Sequence, residues 1–310
     1  MFLEQGIKPQ NKFWLYLIGS VLIIIASFIG QIPFSAAVLY DSFKNKKGFP
    51  TNNAEVMRIF DPNLTLFLVM ISFVFAFAGV YLVVKYLHKQ TLVSVTTSRK
   101  KVDWNRILFS FVIWAFFSAV SFWVVYSRSP ENFVWNFKLI PFLILVLVGS
   151  VFIPIQTSTE EYVFRGYLMQ GFANLGQNKW FPLLMTSMIF GSMHVFNPEV
   201  AKMGYVIMIY YIGTGLFLGV ITLMDEGMEL ALGFHAANNL VGAILVTSDW
   251  SVFQTYSIFK DMSEPSAGLD VILPIFVVYP ILLFIFSKKY NWANWKEKLT
   301  GKISNLELPN

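Results

Sequence analysis

The chain of 310 residues is 56% hydrophobic and only 13% charged, which excludes an ordinary soluble domain, where about a quarter of the residues are charged. Because Cys is absent, disulfides, thiolate zinc sites and a Cys nucleophile are excluded. The net charge of +5 comes from loops beside apolar runs, so it points to lipid and membrane orientation rather than to nucleic acid.

Apolar runs recur along the chain at about the 20 residues that a helix needs to cross about 30 Å of hydrocarbon. The first covers residues 13–40, and Pro33 predicts that this helix is kinked or ends there. A signal peptide is the competing interpretation, but the run is too long for the apolar region of one. The other predicted spans are 64–86, 107–126, 139–169, 181–195, 205–224, 228–246 and 271–286.

These runs predict an all-α fold, a polytopic membrane bundle of about eight transmembrane helices that needs no β-sheet. With the N-terminus inside, 14 of the 23 Lys and Arg residues lie in the inner segments. Basic residues concentrate on the cytoplasmic side of membrane proteins. We therefore expect both termini in the cytoplasm and one transmembrane domain over residues 1–310.

Two adjacent carboxylates, Glu160 and Glu161, stand near the end of the long fourth run, shortly before Arg165. Charges within a span are costly and are usually retained for function. On a helix, Glu161 and Arg165 are four residues apart and can pair on one face, which predicts a supporting structural role for both. Glu160 is rotated by about 100° and is free to point at another group.

Two of the three histidines lie in apolar spans, as His194 and His235. His235 and Asn239 are four residues apart and share one helix face, whereas Asn238 is expected to point elsewhere. His88 falls in a basic connector between spans, where the sequence predicts a solvated surface side chain.

These polar groups match the requirements of peptide hydrolysis. The reaction needs a base that takes a proton from water and donors for the developing oxyanion. A carboxylate in a low dielectric is a better base, so Glu160 is the candidate, with His194 orienting the water. His235 and Asn239 are then the candidate donors to the oxyanion.

The same carboxylate and imidazoles, Glu160, His194 and His235, could instead bind zinc and leave one position open for water. The spacing does not require it, because there is no H-E-x-x-H motif and the three residues come from separate helices. The sequence therefore predicts no cofactor and leaves zinc as the alternative.

Three motifs in order resemble the CAAX protease and bacteriocin-processing (CPBP, or Abi) family, which includes the type II CAAX prenyl endopeptidases. They are E-E-x-x-x-R at Glu160, Glu161 and Arg165, F-x-x-x-H at Phe190 and His194, and H-x-x-x-N at His235 and Asn239. The resemblance covers a catalytic core at about residues 139–246, and the flanking spans match only in number and hydrophobicity.

The resemblance implies an intramembrane peptidase whose cavity opens toward the cytosol and lipid. It assigns water activation to Glu160 with His194 and oxyanion stabilisation to His235 with Asn239, and it favours a glutamate mechanism without metal. The implied partners are the lipid bilayer and a membrane-anchored protein or peptide, prenylated or of bacteriocin type. The expected location is the inner membrane of a bacterium.

Two other classes of function remain open from the sequence. A proton-coupled transporter also places Glu, Arg and His in its spans, but it predicts a continuous polar path across the membrane. A scaffold or immunity protein of the same fold would bind partners without hydrolysis, and it would not need Glu160, both span histidines and Asn239 together.

Overall fold

The computed structural model describes residues 1–8, 10–45, 50, 53–265 and 268–303. The end of the predicted 1–310 domain, residues 304–310, lies outside the described residues. Within the described part, the eight α-helices longer than ten residues are Phe13–Lys44 (α1), Pro62–Leu82 (α2), Trp104–Arg128 (α3), Leu139–Glu161 (α4), Trp180–Met193 (α5), Met208–Asp225 (α6), Glu229–Leu245 (α7) and Tyr279–Tyr290 (α8).

Shorter helical segments extend or connect these helices. The π-helical segments are Val83–Leu87 after α2, Tyr162–Leu168 after α4 and Pro274–Val278 before α8. The short α-helices are Asn53–Val56, Leu92–Thr96, Met169–Gly176, Pro198–Met203, Leu269–Leu273 and Trp295–Thr300. The 3₁₀ turns are Leu3–Gly6, Pro130–Asn132 and Tyr205–Ile207.

The predicted all-α membrane bundle is confirmed. Among the described residues, six helices are long and apolar enough to cross a membrane, and they are Phe13–Lys44, Pro62–Leu87, Trp104–Arg128, Leu139–Gly176, Tyr205–Asp225 and Val271–Tyr290. The other two predicted spans are shorter helices, α5 with 14 residues and α7 with 17. The sequence predicted either a kink or an end at Pro33, and the first helix does not end there but continues to Lys44.

The chain alternates between two ends of the bundle. One end, here called the termini side, is formed by residues 1–8, 88–103, 177–179, 225–228 and 291–303. Contacts within it join Phe2 to Glu226, Arg99 to Asp225 and Lys179 to Glu297. The opposite end, the loop side, is formed by residues 53–61, 129–138, 194–207 and 246–265, and its contacts join Arg58 to Asp249, Asp61 to Tyr256 and Glu199 to Val252. All eight helices therefore run from one side to the other.

The loop side carries a small sheet that the sequence did not predict. Among the described residues it has three strands of three residues each, Phe133–Trp135 (β1), Val246–Ser248 (β2) and Phe259–Asp261 (β3). The central strand is β3, antiparallel to β1 and parallel to β2. Such short strands give no alternating pattern to detect, and they close the loops that follow α3 and α7.

The shortness and polarity of α7 follow from its position inside the bundle. It packs against α3, α4 and α6, and every residue from Glu229 to Ala237 is buried. A helix surrounded by protein needs no continuous apolar surface for lipid. Small residues permit this packing, since a Cβ at Gly233 would overlap the carbonyl oxygen of Ile107 on α3.

Cysteine labelling tests the two-sided topology on a chain that has no Cys of its own. Lys100 and Glu131 are exposed at opposite sides of the bundle. We expect Lys100→Cys and Glu131→Cys to react with a membrane-impermeant maleimide from opposite faces of the membrane, compared in intact and permeabilised cells. Labelling of both positions from the same face would contradict the crossing of the membrane by α3, which lies between them.

Candidate active site

The two adjacent carboxylates lie where α4 changes into the π-helical segment Tyr162–Leu168. Segments of π-helix are rare and often mark functional sites. Glu161 and Arg165 form an ion pair, with Arg165 Nη1 3.0 Å from Glu161 Oε1 and both side chains inaccessible to solvent. Arg165 also donates to the Gly215 carbonyl at 3.2 Å and lies 4.3 Å from the centre of the Phe190 ring.

Glu161 also contacts His235, a contact that the sequence analysis did not foresee. His235 Nδ1 lies 2.7 Å from Glu161 Oε1, the same oxygen that accepts from Arg165. Because an ionised carboxylate can only accept, Nδ1 is the donor and its tautomer is set by this partner. The other ring nitrogen, Nε2, then faces Glu160 Oε2 at 3.5 Å.

Gln156 is a site residue that sequence reasoning missed. Its Nε2 donates to Glu160 Oε1 at 2.5 Å, and its Oε1 accepts from Asn239 Nδ2 at 3.0 Å. The side chain thus joins the candidate base to a candidate oxyanion donor across α4 and α7. The available signal was its spacing, because Gln156 precedes Glu160 by four residues and must share its helix face.

The polar chain continues beyond Asn239. Asn238 Nδ2 donates to Asn239 Oδ1 at 3.0 Å, and Trp114 Nε1 donates to Asn238 Oδ1 at 3.1 Å. The expectation that Asn238 points elsewhere is therefore wrong. Trp114 on α3 fixes the far end of the chain, so both amides of α7 are oriented.

His194 lies at the C-terminal end of α5, where its Nδ1 lies 2.8 Å from the Phe190 carbonyl oxygen. A carbonyl only accepts, so Nδ1 carries the proton and, in the neutral ring, Nε2 is an acceptor. The ring stacks on Tyr211 with centroids 4.4 Å apart. His194 lines the same cavity as Glu160, so each of the three motifs contributes at least one residue to the wall of one space.

His88 is buried, and the expectation of a solvated surface role is wrong. Its ring nitrogens lie 3.2 Å from Asn11 Oδ1 and 2.9 Å from the Tyr167 hydroxyl, and its ring packs against Tyr16. Burial, with a smaller contribution from Lys8, lowers the pKa of His88 to about 4. His88 is therefore a neutral link between the N-terminal segment and the π-helical segment after α4.

A cavity of about 680 Å³ contains the polar cluster. Besides the motif residues, its wall includes Asn197, Glu199 and Val246, and the loop residues 251–253. These belong to the loop side, and no described residue of the termini side lines the cavity. The cavity thus extends from the cluster toward the loop side.

The residues named for the zinc alternative do not form a metal site in the described parts of the chain. No group of three or more His, Asp or Glu side chains there is arranged to hold a metal ion. Glu160 and His235 approach each other at 3.5 Å, and His194 lines the same cavity. The described side chains therefore show no three-ligand arrangement of the kind that zinc uses.

Comparison with known proteins relates the segment that contains the three motifs to a described family. Residues 136–241 match the family model described as type II CAAX prenyl endopeptidase Rce1-like. The matched segment is thus similar to a family of the CPBP group, and it spans all three motifs, from the start of α4 into α7.

A similar protein is known in Bacillus subtilis (strain 168). The chain is 29% identical over 250 residues, 80% of its own length and 83% of the relative's, to a protein named "Uncharacterized protein YyaK". No solved structure matches the chain. The six apolar helices and the membrane-protease family together identify an integral membrane protein, and the family indicates a CAAX-type protease function.

Loss of Arg165 tests the structural role of the buried pair. Arg165→Met leaves Glu161 buried without its cation, which costs about 3–5 kcal/mol of stability for a buried pair. We expect a lower unfolding temperature in detergent than for the wild type, with Arg128→Met, an exposed cation at the end of α3, as the control.

The double variant Glu161→Gln with Arg165→Met is expected to recover part of the stability, because both charges are then absent. An Arg165→Met protein as stable as the Arg128→Met control would show that the pair does not hold the site together.

Proposed function

We propose that the protein is an intramembrane endopeptidase that hydrolyses a peptide bond of a membrane-anchored protein or peptide. The observation that carries the proposal is the position of Glu160. This carboxylate lines the cavity, is oriented by Gln156 and lies 3.5 Å from an imidazole nitrogen of His235. The neighbouring Glu161 is fully buried, and its Oε1 accepts from both Arg165 and His235, so the two adjacent carboxylates have separate tasks.

In the proposed reaction, a water molecule lies between Glu160 and His194 Nε2. The water donates one hydrogen to each group, and Glu160 takes a proton as the oxygen attacks the scissile carbonyl carbon. The carbon–nitrogen bond then breaks, and the proton held by Glu160 passes to the leaving nitrogen. The products are a carboxylic acid and an amine, which exchange a proton to become a carboxylate and an ammonium group, and Glu160 returns to its starting form.

The oxyanion formed during attack needs donors aimed at it. Asn239 Nδ2 carries two hydrogens and donates one of them to Gln156, which leaves the second for the oxyanion. His235 donates Nδ1–H to Glu161, so it can serve the oxyanion only when Nε2 also carries a proton. The mechanism uses no metal, and none of its steps requires a cofactor.

The alternative functions predict different geometry. A proton-coupled transporter needs a polar path to both sides, whereas the described lining of this cavity reaches the loop side only. A scaffold or immunity protein would bind in the cavity without hydrolysis. The activity experiment separates that case from a peptidase.

We expect the purified protein to cleave one or more members of a library of prenylated and unprenylated membrane-anchored peptides, with products identified by mass spectrometry. Glu160→Gln should lower the rate by about 10²-fold or more, the scale of general base catalysis. Asn239→Ala should lower it by about 10²–10³-fold, the scale of one oxyanion donor. Glu131→Gln, an exposed loop-side carboxylate, is the matched control.

A chelator arm tests the mechanism independently of the variants. Cleavage that persists in chelator supports the glutamate mechanism, whereas cleavage lost to chelator and restored by zinc would contradict it. Equal rates for Glu160→Gln and the wild type would contradict the assignment of the base. Binding without cleavage by the folded wild type would favour a scaffold.

We further propose that the protein lies in the inner membrane of a bacterium with both termini in the cytoplasm, as the Lys and Arg distribution favours. In that orientation the cavity extends toward the outer face, and substrates enter from that side or from lipid. Glu131→Cys should then be labelled in intact cells and Lys100→Cys only after permeabilisation. The reverse pattern would place the cavity toward the cytosol, as the family resemblance implies.

A further inference from the structure

A second carboxylate, Glu199, lines the cavity on the loop side of the candidate active site. It lies in the short helix Pro198–Met203, five residues after His194. Its Oε1 accepts from the Val252 backbone N–H at 2.8 Å. Its Oε2 is buried and has no hydrogen-bond partner among the described residues.

An unpartnered buried carboxylate oxygen is costly, because burial removes its hydration without replacing it. Burial raises the pKa of Glu199, and the Val252 N–H opposes that shift. Because Oε2 is shielded from solvent, a cation in the cavity would reduce this cost through its charge rather than by a direct contact with Oε2.

The charge of the cavity favours a cation over other donors. Its described lining contains two carboxylates, Glu160 and Glu199, and includes no Lys or Arg. Arg165 is nearby, but its charge is paired with Glu161. A substrate carboxylate would meet like charges in this space, whereas a Lys or Arg side chain would meet an opposite charge.

The surroundings of Glu199 also suit a long cationic side chain. Asn197 and Tyr211 line the same part of the cavity, and Asn197 Nδ2 donates to the Tyr211 hydroxyl at 3.5 Å. The ring of Tyr211 stacks on His194. An aromatic ring beside a carboxylate binds an ammonium or guanidinium group by a cation–π contact as well as by charge.

We propose that Glu199 forms a specificity subsite for a Lys or Arg side chain of the substrate, close to the bond that is cleaved. The inference rests on the proposed peptidase function for its place in the reaction. The stacking of Tyr211 on His194 links the subsite to the groups that activate water. The preferred substrate is then a membrane-anchored segment with a basic residue, cleaved at an internal peptide bond.

The test uses pairs of membrane-anchored peptides that carry either Lys or its neutral analogue norleucine at one position. Successive pairs move this position along the cleavable segment. We expect the wild type to cleave the Lys peptide about 10-fold better in kcat/KM at one position, the scale of one charge contact. Glu199→Gln should bring the two rates together, and Glu199→Lys should prefer a Glu peptide. Glu131→Gln should keep the preference of the wild type.

Binding to the Glu160→Gln variant separates failure of the subsite from failure of the proposed peptidase. One outcome is that the wild type cleaves no peptide, that the Lys peptide binds more tightly than the norleucine peptide, and that Glu199→Gln in the Glu160→Gln background removes this difference. That outcome would support the subsite and contradict the proposed peptidase. Cleavage with no preference for Lys at any position in the wild type would overturn the subsite, whether or not the Glu199 variants fold.

Discussion

The site depends on one buried carboxylate oxygen, Glu161 Oε1, which accepts from both Arg165 and His235. The contact with Arg165 joins the end of α4 to the π-helical segment Tyr162–Leu168 that follows it, and the contact with His235 joins α4 to α7. A buried charge is stable only when it is paired and hydrogen-bonded. The need to satisfy Glu161 therefore fixes the distance between the two helices that carry the candidate base and the candidate oxyanion donors.

The neighbouring carboxylate, Glu160, has a different environment, although it is adjacent to Glu161 in the sequence. Rotation along the helix turns Glu160 toward the cavity, where the amide of Gln156 orients it and His235 lies opposite. The cavity then continues past His194 and Tyr211 to Glu199 on the loop side. One buried cluster thus holds a candidate base, candidate oxyanion donors and a proposed substrate subsite along a single space.

Most of the helices were predictable because hydrophobic length is a strong signal, and the pairing of Glu161 with Arg165 follows from a spacing of four residues. Contacts between distant segments were not predictable. The sequence predicts that His88 lies in a solvated connector, because its partners Asn11 and Tyr167 are distant in sequence and approach it only in the folded chain. The double use of Glu161, the bridge through Gln156 and the three-residue strands likewise depend on tertiary packing that no local pattern encodes.

The most direct test compares the same substitution at the two adjacent carboxylates, with thermal unfolding and peptide cleavage measured on each protein. The account predicts that Glu160→Gln unfolds at the temperature of the wild type but cleaves peptide at a rate lowered by about 10²-fold or more, because its carboxylate acts in the reaction. It predicts that Glu161→Gln unfolds at a temperature several degrees lower, because Arg165 loses its buried partner. A destabilised Glu160→Gln protein beside a fully stable Glu161→Gln protein would contradict this division of roles.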